Sequence, residues 1–193
     1  MIKKKLKDIL NTNIQEICLL LNSIDGKTLK DLEYQSKKIA KTIKKKNKII
    51  FFGNGGSSSD SDHLVTEFIV RFKKNRSSFP SISLSSNSSV ITAIGNDYDF
   101  KNIFSRQIEG LARKGDYCIG LTTSGNSQNI IEAVKTLKLK KIEFMIWSGN
   151  NGGKIKNFTN KIFKINSKNT ANIQIMHKFY GHIICEYIEY YLK

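Results

Sequence analysis

Between residues 5 and 21 the apolar positions Leu6, Ile9, Leu10, Ile14, Ile17, Cys18 and Leu21 recur at threes and fours, which predicts an amphipathic helix. A second helix is predicted over residues 28–45, with Leu29, Leu32, Ile39 and Ile43 on one side. The apolar stripes of this leading pair either pack on a neighbouring subunit or fold back on their own sheet. Short apolar runs then follow at 49–52, 81–84, 117–121, 142–147 and 162–165, each of strand length. Helical patterns lie between most of them, at 62–72, 100–112 and 129–137, with a weaker one at 88–94. A last long helix is predicted over 171–192, carrying Ile173, Met176, Ile183, Ile184, Tyr187, Ile188 and Tyr191 in register, together with His177 and His182. Strands alternating with helices predict a three-layer α/β fold: a five-stranded parallel sheet covered on both faces, preceded by a helical hairpin. The chain reads as one domain over 1–193, with helices at 1–47 and the α/β core and C-terminal helix at 48–193.

Composition narrows the class. The apolar stretches fall far short of the roughly 20 residues that span a bilayer. The opening MIKKKLKDIL is basic but lacks a sustained apolar region or a small-residue cleavage site, so a secretory signal is not expected and the protein is placed in the cytoplasm. Cys18, Cys118 and Cys185 form no CxxC pair, which argues against a disulfide framework and a thiolate zinc site. The net charge of +16 is carried mostly by scattered lysines, as at 3–5, 44–48 and 138–141, without arginine-rich tracts or interleaved aromatics. It fits a solvated surface that steers phosphorylated substrates better than a nucleic-acid site.

Chemistry concentrates where strands end. In an open parallel sheet ligands bind outside the carboxyl ends of the strands. Three Gly/Ser-rich segments follow strands here, at 53–60, 85–89 and 122–129. In the third, TTSGNSQN, Thr122, Thr123, Ser124 and Ser127 can ring a phosphate with O–H and N–H donors at a helix entrance. In the first, NGGSSSDSDHLVTE, His63 and Glu67 are four residues apart and share a helix face, close enough to hold a metal ion or a substrate hydroxyl. Trp147 is read as a packing residue, and His177 as a hydrogen-bonded helix histidine.

The stretches GNGGSSSDSDHLVTEFIVRF, AIGNDYDF, TTSGNSQNII and NIQIMHKFYGHIICEYIE together resemble the phosphoheptose (sedoheptulose 7-phosphate) isomerases of the SIS-domain superfamily, over nearly the whole chain from residue 48. The resemblance implies a three-layer αβα SIS domain and an aldose–ketose isomerase. The conversion would be of sedoheptulose 7-phosphate to D-glycero-D-manno-heptose 7-phosphate through an enediol, for lipopolysaccharide or capsule precursors. It implies Glu67 and His182 as the catalytic pair and Asn54, Gly55, Gly56, Asn96, Asp97 and Gln174 as sugar contacts. Thr122, Thr123, Ser124 and Ser127 would hold the phosphate. It also implies one zinc per subunit on His63, Glu67, Gln174 and His182, and a homotetramer with active sites at subunit contacts. The chain departs from the family pattern at Thr122, usually serine, at Asn87, usually aspartate, and at 172–175, where NIQI replaces RIQE. The alternatives are a non-catalytic SIS-domain protein, such as a regulator of replication initiation, and a nucleic-acid binder resting on the charge. The first does not need His63, Glu67, Gln174 and His182 together, and the second predicts steeply salt-dependent binding.

Spacing adds a constraint. Gln174 and His182 are eight residues apart on one predicted helix, so about 12 Å and about 80° separate them. A site assembled from more than one subunit would relieve that separation.

Overall fold

A computed structural model describes residues 2–149 and 151–192. The five apolar runs form strands β1 (Ile49–Gly53), β2 (Ser81–Ser83), β3 (Tyr117–Thr122), β4 (Glu143–Gly149) and β5 (Ile162–Ile165). All pair in parallel, in the order β2-β1-β3-β4-β5. Among the described residues seven α-helices surround them: α1 (Ile2–Asn22), α2 (Gly26–Lys44), α3 (Gly56–Ile69), α4 (Ser88–Asp97), α5 (Ser105–Leu111), α6 (Gln128–Leu139) and α7 (Thr170–Tyr191).

The sheet divides two apolar clusters, as strand alternation requires when both faces are covered. On one side Phe51, Ile119, Leu121, Trp147 and Phe163 meet Leu32 and Ile39 of α2, Leu64 and Phe68 of α3, and Ile173, Met176, Ile184 and Ile188 of α7. On the other, Ile50, Phe52, Cys118, Phe144 and Ile146 meet Phe104 and Ile108, and the Ile130, Ile131, Val134 and Leu137 face of α6. Strand order reverses between β1 and β3, so the loops after those two strands flank the crevice where such sheets bind ligands.

Only the second helix of the leading hairpin folds back on its own sheet. α2, capped by the Asp25 carboxylate accepting from the Thr28 N–H at 2.7 Å, lies on the sheet, and Gln35 Oε1 accepts from Trp147 Nε1 at 2.6 Å. In α1 only Leu20 is buried, while Leu6, Ile9, Leu10 and Ile14 stay exposed.

Two elements differ from expectation. α3 opens at Gly56, six residues before the predicted start, because its first buried positions are polar. Ser57, Asp60 and Ser61 precede Leu64 and Phe68 on one face, so hydrophobic periodicity could not show the first turns. The predicted helix at 100–112 divides. The Asp99 side chain accepts from the Lys101 N–H to start a short 3-10 turn, Phe100–Asn102. Ile103 and Phe104 then both bury before α5 begins. Neighbouring residues on a regular helix point about 100° apart, so burying both favours the break. Asn87, in place of the family's aspartate, caps α4 by accepting from the Val90 N–H, a role either residue fills.

Candidate active site

Two loops of the crevice are tied together by side-chain amides. Asn54, after β1, and Asn129, in the first turn of α6, exchange Nδ2–H···Oδ1 bonds at 2.8 and 2.9 Å. Ser85, after β2, joins by accepting from the Gly53 N–H and donating to the Gly53 carbonyl. The segment expected as an eight-residue Gly/Ser loop is therefore short. The N–H groups of Ser57 and Ser58 turn back to the carbonyls of Asn54 and Gly55, as in the first turn of a helix. Little of that turn is left to cradle an anion.

The loop after β3 is built differently. The buried Thr122 hydroxyl accepts from the Gly125 N–H at 3.2 Å and so shapes the loop from inside. Gly125 has φ +66°, and a Cβ there would overlap the backbone of Gly152, so only glycine serves. Thr123, Ser124 and Ser127 line the open side. Ser127 sits at the N-cap of α6 without bonding its own helix, and the helix begins with unpaired N–H groups beside it. This arrangement suits a phosphate monoester.

The other cluster lies along α3 and α7, which run side by side in parallel. At the top, Gly56 faces the Gln174 carboxamide, and a methyl group at Gly56 would collide with it. One turn on, Asp60 pairs with Lys178 at 3.2 Å. Leu64 then seats against Gly181. Beside that contact His63 Nε2 and His182 Nε2 lie 2.7 Å apart, and Glu67 Oε1 is 3.5 Å from His63 Nε2. Partial burial, the neighbouring His63 and Lys178 push the His182 imidazole below its usual pKa, against the opposing pull of Glu67. The ligating atoms of His63, Glu67 and His182 fall within 4.8 Å of one another. Two imidazole nitrogens and a carboxylate oxygen are a donor set that fits zinc.

The predicted residues therefore fall into two groups. Thr123, Ser124, Ser127, Asn54, Gly55, Gly56 and Gln174 gather at the crevice, and His63, Glu67 and His182 gather further down the seam. Asn96 and Asp97 end α4, exposed and bonded to each other. His177 is fully buried against Trp147 with both ring nitrogens unpartnered, so it packs as an apolar ring and is not the hydrogen-bonded helix histidine expected from the sequence. Burial pushes its pKa down to about 3.

Sequence reading missed the far end of the seam. Glu189 is buried near the end of α7 and gathers the 72–76 segment, while the Phe72 ring stacks on His182 with centroids 5.2 Å apart. One signal was available: Glu189 follows His182 by seven residues, two helical turns, and so shares its face.

A parallel sheet in this order, a hydroxyl-rich loop at its switch point and a seven-helix surround define a sugar-phosphate-binding SIS domain, and the SIS domain family matches residues 14–144. The phosphoheptose isomerase of Aquifex aeolicus (strain VF5) is 43% identical over 151 residues, 78% of this chain and 79% of that protein. That of Aneurinibacillus thermoaerophilus is 38% identical over 186 residues, covering 95% and 94%. The solved phosphoheptose isomerase of Neisseria gonorrhoeae superposes with a TM-score of 0.88 at 29% identity, over 96% of this chain and 99% of that one. The chain belongs to the phosphoheptose isomerases, which are aldose–ketose isomerases.

Proposed function

We propose that the whole chain, 1–193, acts as one SIS unit that interconverts sedoheptulose 7-phosphate and D-glycero-D-manno-heptose 7-phosphate, with the catalytic groups of one copy serving the phosphate loop of another. The observation that carries the catalytic assignment is the convergence of His63, Glu67 and His182 on the α3–α7 seam. The Glu67 carboxylate takes a proton from C1 of the ketose, leaving an enediol, and returns it to C2. The His182 imidazole moves the second proton from the C1 hydroxyl to the C2 oxygen. Thr123, Ser124 and Ser127, shaped by Thr122, hold the phosphate. Asn54, Gly55, Gly56, Gln174, Asn96 and Asp97 orient the sugar.

Zinc held by His63, Glu67 and His182, with Gln174 joining from another copy, would polarise the carbonyl as a Lewis acid. Among the described residues no helix is long and apolar enough to cross a membrane. We place the enzyme in the cytoplasm, supplying lipopolysaccharide or capsule precursors.

Chain geometry supports sharing between copies. Thr170 Oγ1 lies 3.5 Å from Thr123 Oγ1, so the start of α7 marks the phosphate loop. Twelve residues separate Thr170 from His182 on that continuous helix, about 18 Å along the axis, so within one chain a heptose phosphate would bridge the two only if fully extended with the side chains at both ends stretched towards it. Gln174 stays near its own phosphate loop, two turns from its own His182, with the Asp60–Lys178 pair between them. The exposed apolar face of α1 offers the contact for a second copy, and we propose a homotetramer. Incubation with sedoheptulose 7-phosphate should yield aldose from the metal-replete wild type, less after chelation, and almost none from Glu67→Gln or His182→Ala. No aldose from the wild type would overturn the substrate assignment. Rates in the two variants equal to that of the wild type would overturn the residue roles.

A further inference from the structure

We propose that Glu189 is a positioning residue that fixes both halves of the catalytic pair at once, His182 through the Phe72 ring and Glu67 through the Arg76 guanidinium. The proposal rests on the isomerase reading above and extends it to residues that touch neither substrate nor the reacting atoms.

One buried carboxylate makes four bonds. Glu189 Oε1 accepts from the Phe72 N–H at 2.8 Å and from Arg76 Nε at 3.0 Å. Oε2 accepts from the Lys73 and Lys74 N–H groups at 2.8 and 2.9 Å. Three successive backbone donors and a guanidinium thus converge on a side chain with 1% of its surface exposed. Burial pushes the Glu189 carboxyl up, but the three N–H bonds and the Arg76 charge outweigh it and leave it below the ordinary carboxylate range. The group therefore stays ionised where the enzyme works, and its four bonds are charge-assisted.

From this anchor two paths reach the site. Holding the Phe72 N–H fixes where the Phe72 ring stands, and that ring is stacked on His182 at a 27° interplanar angle. The imidazole is then confined between Phe72 on one side and His63, 2.7 Å away. On the second path, Arg76 Nη2 donates to the Glu67 carbonyl at 2.7 Å and Nη1 to the Phe68 carbonyl at 2.9 Å. These carbonyls belong to the last turn of α3, which has no helical partners for them. Arg76 itself is seated with its guanidinium 3.7 Å from the Phe79 ring centroid. A shift of Glu189 would loosen the turn that carries Glu67 and the ring that steadies His182 together. Neither effect reaches the phosphate loop, at the other end of α7.

That asymmetry supplies the test. Glu189→Gln removes the charge and turns one acceptor into a donor facing an N–H or the guanidinium. Phe72→Leu leaves the backbone bonds intact and removes only the stacked ring. Phe72→Tyr restores a ring. With sedoheptulose 7-phosphate, Glu189→Gln should lower kcat about tenfold or more with KM within about twofold. Phe72→Leu should do the same to a smaller extent, and Phe72→Tyr should return kcat towards wild type. Zinc affinity, read by competition with a chromophoric chelator and independent of turnover, should fall about tenfold in Glu189→Gln.

If Glu189→Gln does not fold, Phe72→Leu and Phe72→Tyr decide. A folded Glu189→Gln with unchanged kcat and zinc affinity would overturn the proposal. So would Phe72→Leu behaving as wild type, or a rise in KM at constant kcat. An inactive wild type would instead fail the isomerase reading and leave the zinc measurement to judge the clamp alone.

Discussion

Along the α3–α7 seam each turn meets a partner within the same chain: Gly56 with Gln174, Asp60 with Lys178, Leu64 with Gly181, His63 with His182, and the 72–76 segment with Glu189. The outer helices are the opposite. α4, which ends in Asn96 and Asp97, buries no residue, and α1 buries only Leu20 while presenting an apolar stripe to the outside. The seam can hold its chemistry at fixed distances in a single copy. In the proposed assembly the apolar stripe of α1 is the surface that a second copy covers. The difference suggests a division of labour in which each chain completes its catalytic cluster but leaves the join to a substrate-holding loop for its neighbour.

The largest effect should come from the seam itself. Glu67→Gln or His182→Ala should lower kcat by about a thousandfold, within the range that positioned acid–base groups contribute. Turnover at fixed metal loading measures it. A drop smaller than tenfold would make the seam structural.

Next comes the outer surface. Ile9→Asp with Ile14→Asp puts two charges on the exposed stripe of α1 and should give a monomer by sedimentation, with helicity kept. Turnover should fall about a hundredfold or more, because the reacting groups are no longer brought together. A fully active monomer would show that one chain contains the complete site.

A smaller change lies at the boundary of the two regions. Gly56→Ala drives the end of the flexible Gln174 side chain away while leaving the backbone room, so KM should rise about tenfold with little loss of stability. A lowered kcat at unchanged KM would place Gln174 with the catalytic cluster instead.

The smallest effect separates α7's two histidines by pH. His177 is held neutral with a pKa of about 3, below the unfolded value of about 6.5, so the unfolded chain binds the extra proton. Stability from this residue is complete above about pH 6.5 and declines towards pH 3, by up to about 1.4 kcal/mol per pH unit. Glu189, with its pKa lowered, loses its contribution only further down, below the ordinary carboxylate range. Denaturant midpoints at pH 7 and pH 5, at one protein concentration, should therefore differ more for wild type than for His177→Leu. Equal differences would mean that His177 is protonated in the fold.

The five strands, their parallel sense and most helices were legible because apolar residues recur with the period of each element and strands alternate with helices. The first turns of α3 were not, since Ser57, Asp60 and Ser61 bury a polar face whose partners lie on α7. His63 with Glu67 could be read from four-residue spacing. The approach of His182 depends on how two helices distant in sequence lie together, which spacing alone leaves open. The Asn54–Asn129 pair and the Glu189 clamp join residues 75 and more than 110 positions apart. Such contacts leave no local periodicity. The eight-residue gap between Gln174 and His182 did foretell their separation, since helical rise fixes it whatever the tertiary fold.

Whether the catalytic cluster and the phosphate loop of one site come from two chains can be measured by mixing inactive partners. Glu67→Gln retains the loop, and Ser124→Asp repels phosphate while retaining the seam. Dissociated and reassembled together, the two should regain sedoheptulose 7-phosphate turnover that neither has alone, because mixed oligomers pair an intact loop with an intact seam. Mixed oligomers that form and remain inactive would contradict the account.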